Sequence, residues 1–179
     1  LPDAGGADAV AIMFAVQFAF GSRQQADTLL RTVSRLLRPG GVFFGTAPDA
    51  DAIRAAVGAA EELRLAPPEH PFSLLLRPEA GGGDDGFGQP LIFSLEDTVT
   101  NGTDASGCIE FLCHREALVG LAAAHGLQLV ELTALADAAV DRPLKEPLTA
   151  AEKQVASLYF AFAFRKEGGG DVPNAAGAP

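Results

Sequence analysis

The sequence is poor in basic side chains. Lysine and arginine together number 13, against 23 aspartates and glutamates, so the formal net charge of the 179 residues is −10. A protein that wraps a nucleic-acid backbone needs a basic patch to neutralise the phosphates. The charge balance therefore argues against that role, although a pocket that binds one base or nucleotide is compatible with it.

Long apolar runs are absent as well. No stretch of about 18 or more uninterrupted apolar residues occurs, which predicts that nothing here spans a membrane. No basic start of the kind that opens a signal peptide is visible. Because the first residue is Leu1 rather than Met, we expect the sequence to be a piece of a longer protein.

Cysteine and histidine are scarce. Cys108 and Cys113 do not have C-x-x-C spacing, and His70, His114 and His125 are scattered rather than clustered. This spacing predicts neither a zinc site, nor any other metal site, nor a disulfide framework. It also fits a reducing intracellular compartment.

What the sequence does contain is an alternation of strand and helix patterns. Residues 8–16 are a continuous apolar run, as expected of a strand buried on both faces. Ser22 and Gln25 have the spacing of a capping box, and an apolar stripe follows at helical spacing up to the helix-ending residues 39–41. Later segments repeat the two patterns: a strand at 42–48, a helix begun by Asp49 or Asp51 with Leu63 on its inner face, a helix at about 114–124, a strand at 127–135, a short helix from Thr149 and a last strand at 156–166.

This alternation predicts a doubly wound α/β sheet that is incomplete. Only two strands precede the middle of the chain, where short apolar pieces alternate with proline and glycine. The glycine-rich loop that opens nucleotide-binding α/β folds is lacking, because the glycine run 81–83 does not lie between a strand and a helix.

Four segments carry a resemblance to a known family, in the family's own order. They are 24–53, with its "LRPGGVFFGTAP"; 87–99, "FGQPLIFSLEDTV"; "EFL" at 110–112, with the following helix and "GLQLV"; and 155–166, "VASLYFAFAFRK". Together they resemble the eukaryotic mRNA cap guanine-N7 methyltransferases. Many class I methyltransferases share the PGG element alone, whereas four elements in register are more specific.

The resemblance implies a fold and a domain arrangement. The fold would be the α/β, Rossmann-like fold of class I S-adenosylmethionine-dependent methyltransferases, with the N-terminal donor-binding strands missing and an antiparallel cap-binding segment inserted at about 67–113. Residues 1–167 would be a partial catalytic domain, and 168–179 a disordered tail.

The same resemblance implies an activity: transfer of a methyl group from S-adenosylmethionine to N7 of the GpppN cap guanine of mRNA, without a metal. The substrate would be the capped 5′ end of mRNA and the setting the nucleus, with other capping enzymes or RNA polymerase II as candidate partners. Because the donor-binding half is lacking, we expect these 179 residues alone to be inactive.

Methylation of guanine N7 makes modest demands on a protein. N7 carries a lone pair and no proton, so no general base is needed, and the donor is already an activated sulfonium. The protein's task is to hold N7 in line with the methyl group. Since the product is cationic, a carboxylate can accept hydrogen bonds from the Watson–Crick edge of guanine and also stabilise the developing charge. We therefore expect an acid, aromatic walls and no catalytic residue in the strict sense.

Glu110, Tyr159 and Pro48 are candidate guanine-binding residues. In the family the matching glutamate of the EFL element reads guanine, and the matching tyrosine and proline border the cap pocket. Each also has an ordinary explanation: an exposed glutamate after a strand, a core tyrosine with a satisfied hydroxyl, and a proline that stops a strand. Glu96 is a competing acid, to which the resemblance gives a structural role.

Gln17 and Phe18 fall on a His-Tyr pair of the family that lies against guanine and the methyl donor. Met13 falls on a glutamine that helps to hold the donor, and we expect Phe14 to belong to the same donor-binding surface. Gln17 can still donate and accept hydrogen bonds. Since open α/β sheets present functional residues at the carboxyl ends of strands, Gln17 is predicted at such an end. The alternative is an amide satisfied by the backbone.

Two further functions remain compatible with the sequence. The departures from the family at Met13, Gln17 and Phe18 favour a degenerate methyltransferase-like domain that binds a cap or a partner protein without catalysis. The other is a class I methyltransferase acting on a different small molecule, against which the LE and EFL elements argue.

Overall fold

The computed structural model of the chain describes residues 5–65, 73–83, 85–96, 108–138 and 147–168. The tail that the sequence predicts to be disordered lies outside the described residues, apart from Gly168.

Four strands form the central sheet, in the order β1-β2-β8-β7. β1 (Ala7–Ile12) runs parallel to β2 (Leu37–Pro48). β8 (Tyr159–Lys166) lies antiparallel between β2 and β7 (Leu127–Ala134). The sheet is therefore mixed, with one parallel pair and two antiparallel pairs among its described strands.

Two helices connect β1 to β2. A 3-10 helix spans Val16–Gly21 and α1 spans Arg23–Leu36. Ser22 caps α1, because its hydroxyl oxygen accepts a hydrogen bond from the backbone N–H of Gln25 at 3.3 Å. The predicted start of this helix is thus confirmed.

Gly45 is the point of closest approach in the central sheet. A Cβ atom there would stand 2.0 Å from the carbonyl oxygen of Ile12 and 2.8 Å from the ring of Phe162. Both neighbours are fixed parts of the sheet, so only glycine allows β1, β2 and β8 to pair in this register.

A second sheet is antiparallel throughout. It follows α2 (Ala50–Val57) and contains β3 (Leu63–Leu65), β4 (Ser73–Pro78), β5 (Pro90–Glu96) and β6 (Cys108–Phe111), paired in chain order. An isolated parallel bridge between Asp49 and Cys113 joins the end of β2 to the residues after β6. That bridge brings the two sheets together at one corner.

Three more helices complete the described structure. α3 (Arg115–Ala124) leads into β7, α4 (Leu135–Ala138) follows β7, and α5 (Ala150–Ala156) precedes β8. The predicted start of α5 is confirmed by a capping box, in which Thr149 and Glu152 satisfy each other's backbone N–H groups. Within the described ranges, no helix has the length and apolar character needed to cross a membrane.

Two hydrophobic clusters stabilise the fold. The first packs α1 and α3 onto one face of the central sheet, where Phe43, Phe160, Phe162 and Phe164 are buried. The second packs α2 against the antiparallel sheet and the start of β8. Its buried members are Ala50, Ile53, Leu74, Leu76, Leu91, Leu112, Leu158 and Tyr159. Along β8 the phenylalanines therefore face the first cluster and Tyr159 the second, as the alternation of side chains along a strand requires.

The prediction of a strand over 8–16, buried on both faces, is wrong in length and in burial. β1 ends at Ile12, and none of its six residues is fully buried, since three are half-buried and three are exposed. β1 is an edge of the described sheet, so no strand covers its outer side. On the same sheet Phe44 is 41% exposed, whereas its neighbour Phe43 is fully buried.

Two predicted boundaries also differ. β2 begins at Leu37, before the Pro-Gly-Gly residues, because Gly40 takes a φ of +78° that lets the chain continue as strand. Leu63, predicted on the inner face of the second helix, lies in β3 instead. α2 ends earlier, at Val57, where the following Gly58 has a φ of +58° that stops the helix.

Phe43→Ala is expected to lower the free energy of unfolding of the chain by about 3–5 kcal/mol, because it empties a fully buried ring position. Phe44→Ala is the matched control, one residue along the same strand, and should cost about 1 kcal/mol because that ring is already partly in water. Urea unfolding measures both. Equal losses would contradict the assignment of the two faces.

Candidate functional site

Four separate pieces of chain meet at the carboxyl end of β2. They contribute Phe14, Gln17, Pro48, Glu110 and Tyr159, which we call the pocket cluster. The rings of Phe14 and Tyr159 meet edge to face, with centroids 5.4 Å apart. Pro48 pairs with Tyr159 across β2 and β8, Gln17 hydrogen-bonds Glu110, and the charge of Glu110 acts on Tyr159. All five sequence-predicted guanine or donor residues of this cluster are thus brought together.

The turn after β1 has an unusual backbone. Phe14 has a φ of +50°, in the left-handed region that non-glycine residues adopt at a cost of roughly 1–2 kcal/mol. Its N–H donates to the hydroxyl oxygen of Thr46 at 3.0 Å, which holds the turn against β2. Residues with a strained backbone are more frequent at functional sites, where the surrounding structure holds them in that conformation.

Gln17 lies in the 3-10 helix, five residues beyond the last residue of β1, and not at a strand end as predicted. The chain leaves the strand early because Phe14 turns left-handed. The Gln17 side chain is 2% exposed, and its Nε2 donates to the carbonyl oxygen of Phe14 at 2.9 Å. The alternative explanation, an amide satisfied by the backbone, therefore holds for the Nε2 atom of Gln17.

The oxygen of the Gln17 amide has no hydrogen-bond partner within the described residues. It is the one buried side-chain polar atom there that lacks a partner. The Phe14 carbonyl fixes the orientation of the amide, because only Nε2 can donate to it. A buried acceptor without a donor costs about 1–3 kcal/mol. A ligand that donates a hydrogen bond to Gln17 Oε1 would remove that cost.

Glu110 is the buried acid of the cluster. It pairs with Leu91 across β6 and β5 and is 8% exposed. The alternative explanation, that Glu110 is an ordinary exposed residue after a strand, is therefore wrong. Burial raises the pKa of Glu110, and the hydrogen bond from Gln17 opposes that rise. The carboxylate is thus held in a site that penalises its charge. The side chain of the competing acid, Glu96, lies outside the described part of the structure.

Two neighbours respond to that charge. Burial, and after it the charge of Glu110, raises the pKa of Tyr159, so its hydroxyl keeps its proton throughout the physiological range. Burial, followed by the charges of Glu110 and Asp49, raises the pKa of Cys113. Cys113 is therefore an inert thiol rather than a nucleophile.

Met13, Phe14 and Phe18, the predicted donor-binding residues, are exposed on the turn and the 3-10 helix. Their exposed fractions are 52%, 50% and 52%. Of the three, Phe14 is a member of the pocket cluster, where its ring contacts that of Tyr159. Exposed aromatic faces of this kind can attract a cationic group.

Asp49 and Arg115 are site-adjacent residues whose pairing the sequence did not reveal. Asp49 was predicted only as a helix cap, a role confirmed by its bonds to the N–H groups of Asp51 and Ala52. Its other oxygen, Oδ2, accepts from Arg115 Nε at 2.9 Å and Nη2 at 2.5 Å. The two residues are 66 positions apart, so no local pattern signals the contact.

Metal-ligating side chains do not gather in the described part of the chain, where no group of three or more His, Cys, Asp or Glu residues is found. The two described histidines have other partners. His114 lies 3.1 Å from Gln89 Oε1, and His125 lies 2.8 Å from Asp27 Oδ1.

Two solved structures share this fold. The CcbJ methyltransferase from Streptomyces caelestis aligns with a TM-score of 0.53 at 16% identity, covering 93% of this chain and 59% of that one. An S-adenosylmethionine-dependent methyltransferase from Clostridium acetobutylicum aligns with a TM-score of 0.52 at 9% identity, covering 94% and 61%. The predicted fold class, an α/β class I methyltransferase fold, is confirmed.

Curated proteins match the sequence over most of its length. The mRNA cap guanine-N(7) methyltransferase 1 of Arabidopsis thaliana is 29% identical over 189 aligned residues, covering 92% of this chain and 48% of the relative. The mRNA cap guanine-N(7) methyltransferase of Schizosaccharomyces pombe is 26% identical, covering 93% and 50%. The Drosophila melanogaster enzyme of the same name is 34% identical over 129 residues, covering 72% and 28%. The chain spans about half the length of these relatives or less.

The family model described as the mRNA (guanine-N(7))-methyltransferase domain matches residues 2–146, which is most of the chain. The match includes the whole antiparallel sheet and four of the five residues of the pocket cluster. The chain therefore belongs to the mRNA (guanine-N(7))-methyltransferase domain family.

Proposed function

We propose that the chain forms the guanine-binding part of an S-adenosylmethionine-dependent methyltransferase that methylates N7 of the GpppN cap of mRNA. One observation carries the proposal: a buried carboxylate, Glu110, lies beside the unsatisfied acceptor of Gln17 and the ring of Tyr159. A site with two acceptors and aromatic walls has the chemistry that a guanine ring requires.

The Watson–Crick edge of guanine offers N–H donors at N1 and N2. Glu110 would accept from them as a carboxylate, and Gln17 Oε1 would accept a further hydrogen bond. Binding would then satisfy an acceptor that the described chain leaves open. Adenine presents an acceptor at N1, so two protein acceptors would disfavour it.

The chemical step needs position and charge more than proton transfer. N7 has no proton to lose, so the pocket cluster acts by holding the base in line with the methyl group. As the methyl group is transferred, the base becomes cationic, and the carboxylate of Glu110 in its low-dielectric site stabilises that charge. Tyr159 and Pro48 would wall the base.

S-adenosylmethionine supplies the activated methyl group when it is bound. Phe14 and Phe18 would face its sulfonium and adenosyl parts, and Met13 would add an apolar contact in place of a hydrogen-bonding side chain. Because this surface offers apolar contacts, most polar contacts to the donor would come from other residues of the full-length protein.

The setting follows from the same proposal. An enzyme that acts on the capped 5′ end of mRNA would work in the nucleus, close to other capping enzymes or RNA polymerase II. The support for this is family membership and not a surface of the described chain.

In the full-length protein, Glu110→Ala is expected to lower kcat/KM for capped RNA about 100-fold to 1000-fold, as removal of a charge-stabilising group does elsewhere. The assay follows label from S-adenosylmethionine to N7 of GpppA-capped RNA. Glu116→Ala, which removes an exposed acid in the first turn of α3, is the matched control and should leave the rate unchanged.

Three results are distinguishable. Transfer that survives in Glu110→Ala would overturn the assigned role of that residue. Cap binding without any transfer by the natural protein would favour a non-catalytic, cap-binding domain. Absence of both cap binding and transfer would overturn the proposed function.

Glu110→Gln should make the chain more stable at neutral pH while weakening cap binding. The folded state raises the pKa of Glu110, so it binds that proton more tightly than the unfolded state does. Natural-protein stability therefore falls, relative to the variant, as pH rises from the ordinary carboxyl pKa through the raised one. Urea unfolding from pH 4 to pH 8 should show a stability gap that grows with pH and then levels.

Cap affinity should change in the opposite sense, because guanine binding needs the ionised carboxylate. The natural protein should bind GpppG more tightly as pH rises through the raised pKa of Glu110, and Glu110→Gln should lose that dependence. Glu116→Gln serves as the control for both measurements. A stability gap that is flat across this pH range would contradict the inferred burial of a charge.

A further inference from the structure

Asp49 stands where three strand ends meet. Its N–H donates to the carbonyl oxygen of Leu158 at 2.9 Å, and the N–H of Ala50 donates to the carbonyl oxygen of Cys113 at 3.1 Å. These bonds tie together the end of β2, the start of β8 and the residues after β6. Each of those three segments carries one wall or acceptor of the pocket cluster.

The pocket residues lie close in sequence to Asp49 and to the residues that these hydrogen bonds join. Pro48 precedes Asp49 directly, Tyr159 follows Leu158 directly, and Glu110 lies three residues before Cys113. A shift of the backbone at Asp49 would therefore be passed to all three pocket residues at once.

The Asp49 side chain is fully engaged within the protein. It is 4% exposed; Oδ1 accepts from two N–H groups at the start of α2, and Oδ2 accepts from Nε and Nη2 of Arg115. The guanidinium of Arg115 also lies over the ring of Phe160, 5.3 Å from its centroid. With its oxygens occupied in this way, Asp49 is not arranged to contact a substrate itself.

We propose that the Asp49–Arg115 ion pair is a positioning device that sets the spacing between Pro48, Glu110 and Tyr159. The inference rests on the proposed function, since its effect is on guanine binding. Arg115 begins α3 two residues after Cys113, so the pair clamps the chain leaving Glu110 against the chain leaving Pro48. Small displacements of such groups weaken both binding and the in-line geometry of transfer.

An ion pair with one buried partner, here Asp49, can also act on stability alone, so the effects of its loss on cap binding and on donor binding have to be measured separately. Breaking one partner leaves an uncompensated charge and disturbs the segments it held. The pair joins β2, β8 and the residues after β6, whereas Met13 and Phe18 lie on the turn after β1 and on the 3-10 helix. A positioning role thus predicts weaker cap binding with little change in donor binding.

The test uses the full-length protein and a double-mutant cycle. Asp49→Asn keeps the oxygen that caps α2 and removes the charge, and Arg115→Gln removes the other half of the pair. Each single variant should bind GpppG about 10-fold more weakly, while its affinity for S-adenosylhomocysteine stays within about twofold. The double variant should lose about as much as one single variant, because the two residues act as a unit. Asp51→Asn, in the first turn of the same helix, is the control and should change neither affinity.

The other outcomes overturn the inference. Unchanged GpppG affinity in the single variants would remove the positioning role, and an additive loss in the double variant would show that the residues do not act as a pair. Parallel loss of GpppG and S-adenosylhomocysteine binding, tracking a fall in Tm, would show a role in stability alone. Failure of the natural protein to bind GpppG would overturn the proposed function itself, and this inference with it.

Discussion

The antiparallel pairing of β2 with β8 is the constraint on which both the core and the pocket depend. Phe43 pairs with Phe164 at one end, and Pro48 pairs with Tyr159 at the other. Because side chains alternate along β8, the same register buries the phenylalanines under α1 and α3 and directs Tyr159 to the second cluster. A slip of one residue would exchange these two sets and remove both features together.

Three features of the pocket cluster each lower the stability of the folded chain. Phe14 has a left-handed backbone, Gln17 leaves a buried acceptor open, and Glu110 holds a carboxylate where burial disfavours its charge. The surrounding sheets and the hydrogen bond from Phe14 to Thr46 hold these residues in place. A ligand with N–H donors and a developing positive charge would relieve two of the three conditions at once.

Much of the fold follows from local sequence, whereas the details of the site do not. The caps at Ser22 and Thr149 are properties of neighbouring residues, and they were predicted. The early end of β1 depends on Thr46, 32 residues from Phe14, and the apolar run contains no proline or glycine that announces the break. The meeting of Gln17 with Glu110 was suggested by family resemblance alone, because no spacing rule connects positions so far apart.

Tyr159 has a consequence for observation that is separate from its place in the pocket. The 179 residues contain one tyrosine and no tryptophan. Emission excited in the tyrosine absorption band of this chain therefore originates beside Glu110, in contact with the ring of Phe14. The chain carries its own optical reporter, and that reporter stands at the site where a guanine ring would enter.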